Sequence, residues 1–428
     1  PTVCSGEQHE HGEGATLRQA HKQARAAAWK EFRESAASCF SFVETIGLSY
    51  LWKTLRHAFR RSASADGRQT RPLLAPSLSL EQKVQLAAGI FTGLTLDRTC
   101  ARLVFLCGHG STTTNNPYAS GLDCGACGGF PGDVNARIAA ALLNDATVRD
   151  ALAGQGITIP ADAFFIAGLH NTTTDEVELF DIDAVPAGHR SLVDALRAAL
   201  QETGRRNAAW RARLLDAPAA ADPVTAVRAR SADWSQVRPE WGLAGNAGLL
   251  IAPRHWSRDA ALEGKVFLHE YDPVIDPDGA RLESILAGPL VVASWINLQY
   301  FASAVDNRHF GSGHKAIHNV VGALGVALGN ENDLRPGLPL QSVSDGTRLI
   351  HEPCRLHVMI AAAPEVIERL LERLPAVREL VENEWLHLFS LGVDGTRFDR
   401  RERSGRWLPA PSFAAGATHN RPTTQAGR

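Results

Sequence analysis

One stretch limits the possible folds of this chain more than any other: residues 103–145, LVFLCGHGSTTTNNPYASGLDCGACGGFPGDVNARIAAALLND. Leu103-Val104-Phe105-Leu106 is continuously apolar, too short for a free-standing helix and bounded by Gly108 and Gly110, which predicts a buried strand. Cys107 and His109 sit at its carboxyl end. A loop rich in Ser, Thr, Asn and Gly carries Cys124 and Cys127, and Asp133 is placed to cap a helix with Val134, Ile138, Ala141 and Leu142 on one face. Strand, polar loop and helix form the α/β unit whose ligands bind beyond the carboxyl end of the strand.

Thiols and an imidazole gathered at such an end, near the positive pole of a helix, suit a soft divalent metal, and zinc is the natural candidate. By spacing alone, Cys107-x-His109 and Cys124-x-x-Cys127 can close a four-ligand site, although the fourteen residues between the pairs are not a standard finger linker. The plainer alternative makes Cys107 a small buried apolar residue and Cys127 a loop residue.

The string CGHGSTTTNNPYASGLDCGACGG resembles the DabA family of inorganic carbon transporter subunits, whose zinc site is similar to that of β-carbonic anhydrases. The resemblance continues through LHNTTTDEVELFD (169–181), DWSQVRPEWGLAGNAGLLIAPR (233–254), FLHEYDP (267–273) and GPLVVASWINLQYFASAVDNRHFGSGHKAIHNVVG (288–322). It implies a zinc ion (Zn2+) held by His109, Cys124 and the Cys and Asp of a C-x-D-x-R segment, with Cys107 and Cys127 outside the ligand set. The 428 residues contain no C-x-D-x-R: Cys4 is followed by Ser-Gly-Glu and Cys39 by Phe-Ser-Phe. In the family that segment precedes the matched region, and the chain begins with Pro1, so it is expected to be the C-terminal part of a longer protein or the product of a truncated or split gene.

The resemblance also implies the chemistry and the partners. Zinc-bound hydroxide attacks carbon dioxide to give bicarbonate. The subunit works at the cytoplasmic face of the cell inner membrane, as a peripheral protein. Its partner is a membrane proton- or cation-translocating (DabB-like) subunit, related to those of respiratory complex I and cation antiporters. With two ligands absent, residues 1–428 alone are expected to be inactive. Two other classes stay open: a thiol oxidoreductase using Cys124-Gly-Ala-Cys127, and a non-catalytic scaffold with a structural zinc or none.

Composition fits a large globular protein: 44% of the 428 residues are hydrophobic and 21% charged. A formal net charge of −2 argues against nucleic acid as a partner, and seven cysteines without an obvious framework suit a reducing compartment. No uncharged apolar run is expected to reach bilayer-spanning length, the nearest being Gly288–Phe301, expected as a buried strand or helix.

The fold class expected is α/β, a largely parallel sheet with flanking helices and a β-carbonic-anhydrase-like core. The boundaries expected are a helical segment and linker over 1–75, the α/β zinc-site domain over 76–403, and a disordered tail over 404–428. Within them, Thr16–Arg61, Ser79–Gly93, Arg190–Leu215 and Pro364–Leu374 read as helices, Pro375 stopping the last. Ala163–Gly168, with Glu176–Phe180 as its continuation, Leu249–Ala252 and Val266–Glu270 read as strands. His170 ends one of these strands as a hydrogen-bonded residue or a proton carrier. In NRHFGSGHKAIH (307–318), His314 and His318 share a helical face, and the Gly-Ser-Gly loop can equally bind an anion.

Overall fold

A computed structural model describes residues 3–4, 72–74, 77–97, 100–113, 122–215, 222–232, 243–312, 319–321, 325–327, 335, 337–392 and 397–410. The expected helix Thr16–Arg61 and the pair His314 and His318 lie outside these. The chain divides into two compact units, Pro1–Gly242 with His314–Arg335, and Leu243–Gly313 with Pro336–Arg428.

The first unit contains two short strands, β1 (Val3–Cys4) and β2 (Leu73–Leu74), paired with each other, and a three-stranded sheet. In that sheet β3 (Leu103–Gly110) pairs parallel with β4 (Phe164–Asn171), which pairs antiparallel with β5 (Glu176–Leu179). Glu176–Phe180 is therefore not a continuation of β4. Asp175 turns the chain back with a left-handed φ of 60°, its N–H donating to the Asn171 carbonyl at 2.7 Å.

The alternation of side chains on β3 and β4 dresses both faces of the sheet. Leu106, Phe165 and Ala167 pack with α1 (Leu80–Gly93), α2 (Asp133–Asn144) and α3 (Ala146–Gly154) through Val84, Phe91, Ala136, Leu143 and Leu152. Phe105, Phe164 and Ile166 pack on the other face with Val185 and with Val193 and Leu196 of α4 (Arg190–Leu214). A shorter helix, α5 (Pro223–Ala232), follows. Ser79 opens α1 with a reciprocal cap: its Oγ accepts from the Gln82 N–H at 3.2 Å, and Gln82 Oε1 accepts from the Ser79 N–H at 3.0 Å. In α2 Gly132 takes the cap position expected of Asp133, which is the first helical residue and is buried. Ile138 and Leu142 are buried as their spacing predicts, but Ala136, Ala140 and Leu143 carry the rest of the face, while Val134 and Ala141 are half-buried.

The second unit holds a six-stranded sheet of β6 (Gly248–Ala252), β7 (Val266–Glu270), β10 (Leu356–Ile360), β11 (Leu386–Leu391), β12 (Phe398–Arg401) and β13 (Trp407–Pro409), whereas β8 (Asn319–Val321) and β9 (Gly325–Ala327) form a separate hairpin that belongs to the first unit. Strands β7, β6, β10 and β11 are parallel and β12 and β13 antiparallel, so the architecture is mixed α/β with a parallel centre. Leu249, Ile251, Val358, Ile360 and Leu388 form its core with α6 (Ala280–Ala287), α7 (Pro289–Val305), α9 (Pro364–Arg373) and α10 (Pro375–Glu382); α8 (Asn307–Phe310) is one short turn. Pro375 ends α9 and also begins α10, at a first-turn position where its missing N–H costs nothing.

Two expectations are corrected here. The tail does not become irregular at 404: Gly405, with φ 85°, turns the chain so that β13 pairs with β12, and Trp407 Nε1 donates to Glu368 Oε1 at 2.8 Å. The apolar run is also longer than expected. Ala280–Val305 is long and apolar enough by length and composition to cross a membrane, interrupted by Gly288. Its buried side mixes polar groups with apolar ones, however: beside Leu290, Ala293 and Tyr300, Asn297 Nδ2 donates to the Asn246 side chain at 3.0 Å and to the Cys354 carbonyl at 3.1 Å, and Ser303 Oγ accepts from Leu338 N–H. Trp295 stands 66% exposed.

His351 is buried in the same unit, its Nδ1 accepting from the Gly245 N–H at 2.9 Å, which places the proton of the neutral ring on Nε2, where it meets no acceptor among the described residues. Burial pushes its pKa from 6.5 down to about 4. The unfolded chain then takes up this proton first, so stability falls as pH drops from 6.5 towards 4, by about 3 kcal/mol in total. Urea unfolding across that range is expected to lose this slope in His351→Phe.

Candidate functional site

The parallel register sets His109 opposite His170 at the carboxyl ends of β3 and β4. Both are half-buried. Burial lowers the His109 pKa below its ordinary value; Asp123 pulls it back and His170 adds to the lowering, so the ring is neutral at pH 7 with a lone pair available. Asp123 is fixed by the strand end itself, accepting from the Ser111 N–H at 2.7 Å and the Ser111 hydroxyl at 3.1 Å.

Cys124 follows directly and starts a tight loop. Its N–H donates to the Phe130 carbonyl at 3.1 Å, while its own carbonyl accepts from Cys127 and Gly129, each at 3.0 Å. Gly128 and Gly129 close this loop with φ of 71° and 80°. Cys127 Sγ accepts from Asn135 Nδ2 at 3.1 Å. Burial, then the hydrogen bond to Cys124, drives the Cys127 thiol up to about 11, so it stays protonated at neutral pH. Cys107 is exposed, its Sγ 3.3 Å from the Gly108 carbonyl.

The loop is docked on the strand by glycines. Gly132 N–H donates to the His109 carbonyl at 2.8 Å, and a Cβ on Gly108 would lie 2.4 Å from the Gly132 carbonyl oxygen. Backbone meets backbone there, so neither side can swing away. Gly108→Ala is expected to cost about 2 to 4 kcal/mol and to detach the start of α2 from β3. Thermal unfolding and amide exchange at Gly132 check this.

A second network lies beneath His170. Its Nε2 is 3.1 Å from Asp175 Oδ1, and Asp175 Oδ2 accepts from Arg211 of α4 at 2.9 Å through Nε and 2.8 Å through Nη2. Gly204 allows α4 this close, since a Cβ there would lie 2.6 Å from the Asp175 carbonyl oxygen. Burial alone would raise the Asp175 pKa, but His170 and Arg211 outweigh it and hold it below the usual carboxylate value. The polar string after His170 is a set of turn locks: Asn171 Nδ2 donates to Thr112 Oγ1 at 2.8 Å, and Thr173 Oγ1 donates to the Thr112 carbonyl at 2.8 Å. Arg137 on α2, nearly fully buried, grips Asp181 with two bonds of 2.9 and 2.8 Å. Sequence reasoning missed Asp175, Arg211, Arg137 and Asp181, whose pairings span 36 and 44 residues.

Among the described residues, no group of three or more His, Cys, Asp or Glu side chains could hold a metal ion. The four-ligand arrangement of Cys107, His109, Cys124 and Cys127 is thus not assembled. Imidazole nitrogen and cysteine thiolate, the donor types of His109 and Cys124, are chemically suited to zinc.

The family described as "Probable inorganic carbon transporter subunit DabA" matches residues 1–386. The chain belongs to the DabA family. A DabA relative from Chloroflexus aggregans is 47% identical over 415 residues, 92% of this chain and 49% of the relative. Another from Bradyrhizobium sp. (strain BTAi1) is 49% identical over 404 residues, covering 90% and 48%, and one from Roseiflexus castenholzii is 48% identical over 397 residues, covering 88% and 47%. All three carry the name probable inorganic carbon transporter subunit, and the chain spans about half the length of these DabA proteins. No solved structure matches the chain.

Proposed function

We propose that this chain contributes to a zinc-binding subunit of an energy-coupled inorganic carbon uptake system, converting carbon dioxide to bicarbonate at the cytoplasmic face of the membrane. The observation that supports it most directly is His109, a half-buried neutral imidazole at the carboxyl end of β3. The Cys124 loop leads into Gly132, which is tied to that strand end through the His109 carbonyl. His109 and Cys124 are the zinc-binding residues of this proposal, and the other two ligands come from a C-x-D-x-R segment that residues 1–428 do not contain. A bound zinc supplies a hydroxide near neutral pH. The protein's own part is to keep His109 deprotonated, to hold the Cys124 loop rigid through Phe130 and Gly129, and to keep Cys127 a neutral thiol. The membrane partner is a proton- or cation-translocating, DabB-like subunit, whose ion gradient makes hydration effectively one-way.

A second reading draws on the hydrogen bond between Cys127 and Cys124, which suits a thiol-disulfide pair. The elevated Cys127 pKa counts against it, because the thiolate is the reactive species. One protein separates the two: this chain joined to the unmatched half of the Chloroflexus aggregans relative, in that relative's order. Oxygen-18 loss from labelled carbon dioxide, sensitive to chelator and restored by zinc, is the expected result. A reversible 124–127 disulfide without isotope exchange would instead establish the redox reading.

A further inference from the structure

β3 is placed at an edge while carrying the sequence of an interior strand. Among the described residues it pairs only with β4, and the sheet runs β3, β4, β5. Leu103, Val104 and Phe105 are left half-buried, whereas Phe165, Ile166, Ala167 and Leu169 on β4 are 1%, 2%, 2% and 3% exposed. Parallel strands with apolar residues on both faces normally lie inside a sheet, and proteins protect open edges with charge, proline or a cover. β3 has no charged residue and no proline.

The ladder shows which backbone groups face outward. Phe164 N–H donates to the Arg102 carbonyl and Thr172 N–H to the Gly110 carbonyl, both at 2.8 Å, so the even-numbered residues turn their backbone groups to β4. Backbone groups alternate along a strand, so Leu103, Phe105, Cys107 and His109 turn theirs the other way. The His109 carbonyl confirms the direction, accepting from Gly132 rather than from β4.

We propose that the outer edge of β3 takes up a parallel, apolar strand from the half of the DabA family's length that this chain does not span. The relatives provide the length, since this chain matches only 49% of the Chloroflexus aggregans protein. The strand bonds the outward N–H groups of Leu103, Phe105 and Cys107, and its side chains cover Leu103, Val104 and Phe105. Strand addition of this kind draws affinity from main-chain hydrogen bonds and selectivity from side-chain fit. It is independent of any metal at His109.

Amide hydrogen exchange resolved to single residues tests this, comparing residues 1–428 alone with the same chain joined to the unmatched half of the Chloroflexus aggregans protein. Exchange at Leu103, Phe105 and Cys107 is expected to slow by about 100-fold or more in the longer protein, with the β4 amides unchanged. Cys107→Pro in the longer protein is expected to abolish the added protection, because it removes an outward N–H on an exposed residue and leaves the β4 ladder intact. Cys107→Ala is expected to keep it. Equal exchange in the two proteins would overturn the proposal, whether the amides are already protected in the short chain or stay open in the long one. So would loss of β4 protection in Cys107→Pro, which would mean that this N–H faces inward.

Discussion

His109→Ala and Cys124→Ser are each expected to weaken zinc retention by at least about 100-fold in the chain joined to the unmatched half of its relative. Each removes one donor of the four-ligand shell proposed above, and among the described residues no group of three or more His, Cys, Asp or Glu side chains offers a replacement. Cys107→Ser and Cys127→Ser are expected to retain about one equivalent. The Cys107 side chain is exposed, and Cys127 is engaged by Asn135. Zinc measured after dialysis against a mild chelator gives the comparison, and equal losses in all four variants would favour the local four-ligand site. By the same reasoning, residues 1–428 alone are expected to give up zinc to that chelator and to show no hydration by stopped flow.

Asp175→Ala is expected to be the most destabilising single change in the first unit, by about 3 to 5 kcal/mol, because it strands the buried Arg211 guanidinium without its counter-charge. Alanine also has to adopt the left-handed φ of 60° that aspartate tolerates better. Asp175→Asn keeps the backbone and one acceptor and is expected to lose less. The pH dependence follows from the sign of the shift. The folded pKa lies below that of the unfolded chain, so the contribution is fully present above the unfolded value and disappears as pH falls through the folded one. Urea titrations of wild type and Asp175→Asn should therefore converge in acid and separate above about pH 4.

Several elements of this fold are written locally in the sequence. The Ser79/Gln82 capping box marks the start of α1 without help from the rest of the chain, and the unbroken LVFL run followed by GHG marks β3. The C-G-H-G string also puts His109 at the carboxyl end of that strand. Other readings failed for lack of long-range information. EVELF has the pattern of a strand in either direction, and only the turn at Asp175, locked by Asn171, Thr173 and Thr112, reverses it to lie antiparallel to β4. The tail after Arg403 has the composition of an irregular segment, yet pairing with β12 and the Trp407 bond to Glu368 order it as far as β13.

The sequence by itself determined the family, the strand-loop-helix unit and the residues placed at its carboxyl end. These depend on local chemistry: apolar alternation, glycine conformational freedom, and hydrogen bonds spanning only a few residues. Tertiary structure alone decided that His109 lies opposite His170, that Asp175 meets Arg211 and Arg137 meets Asp181, and that Asn297 of α7 is turned inward onto Asn246. The physical reason is that a buried charge or amide is stable only where a partner from a distant segment meets it, and sequence spacing does not encode that meeting.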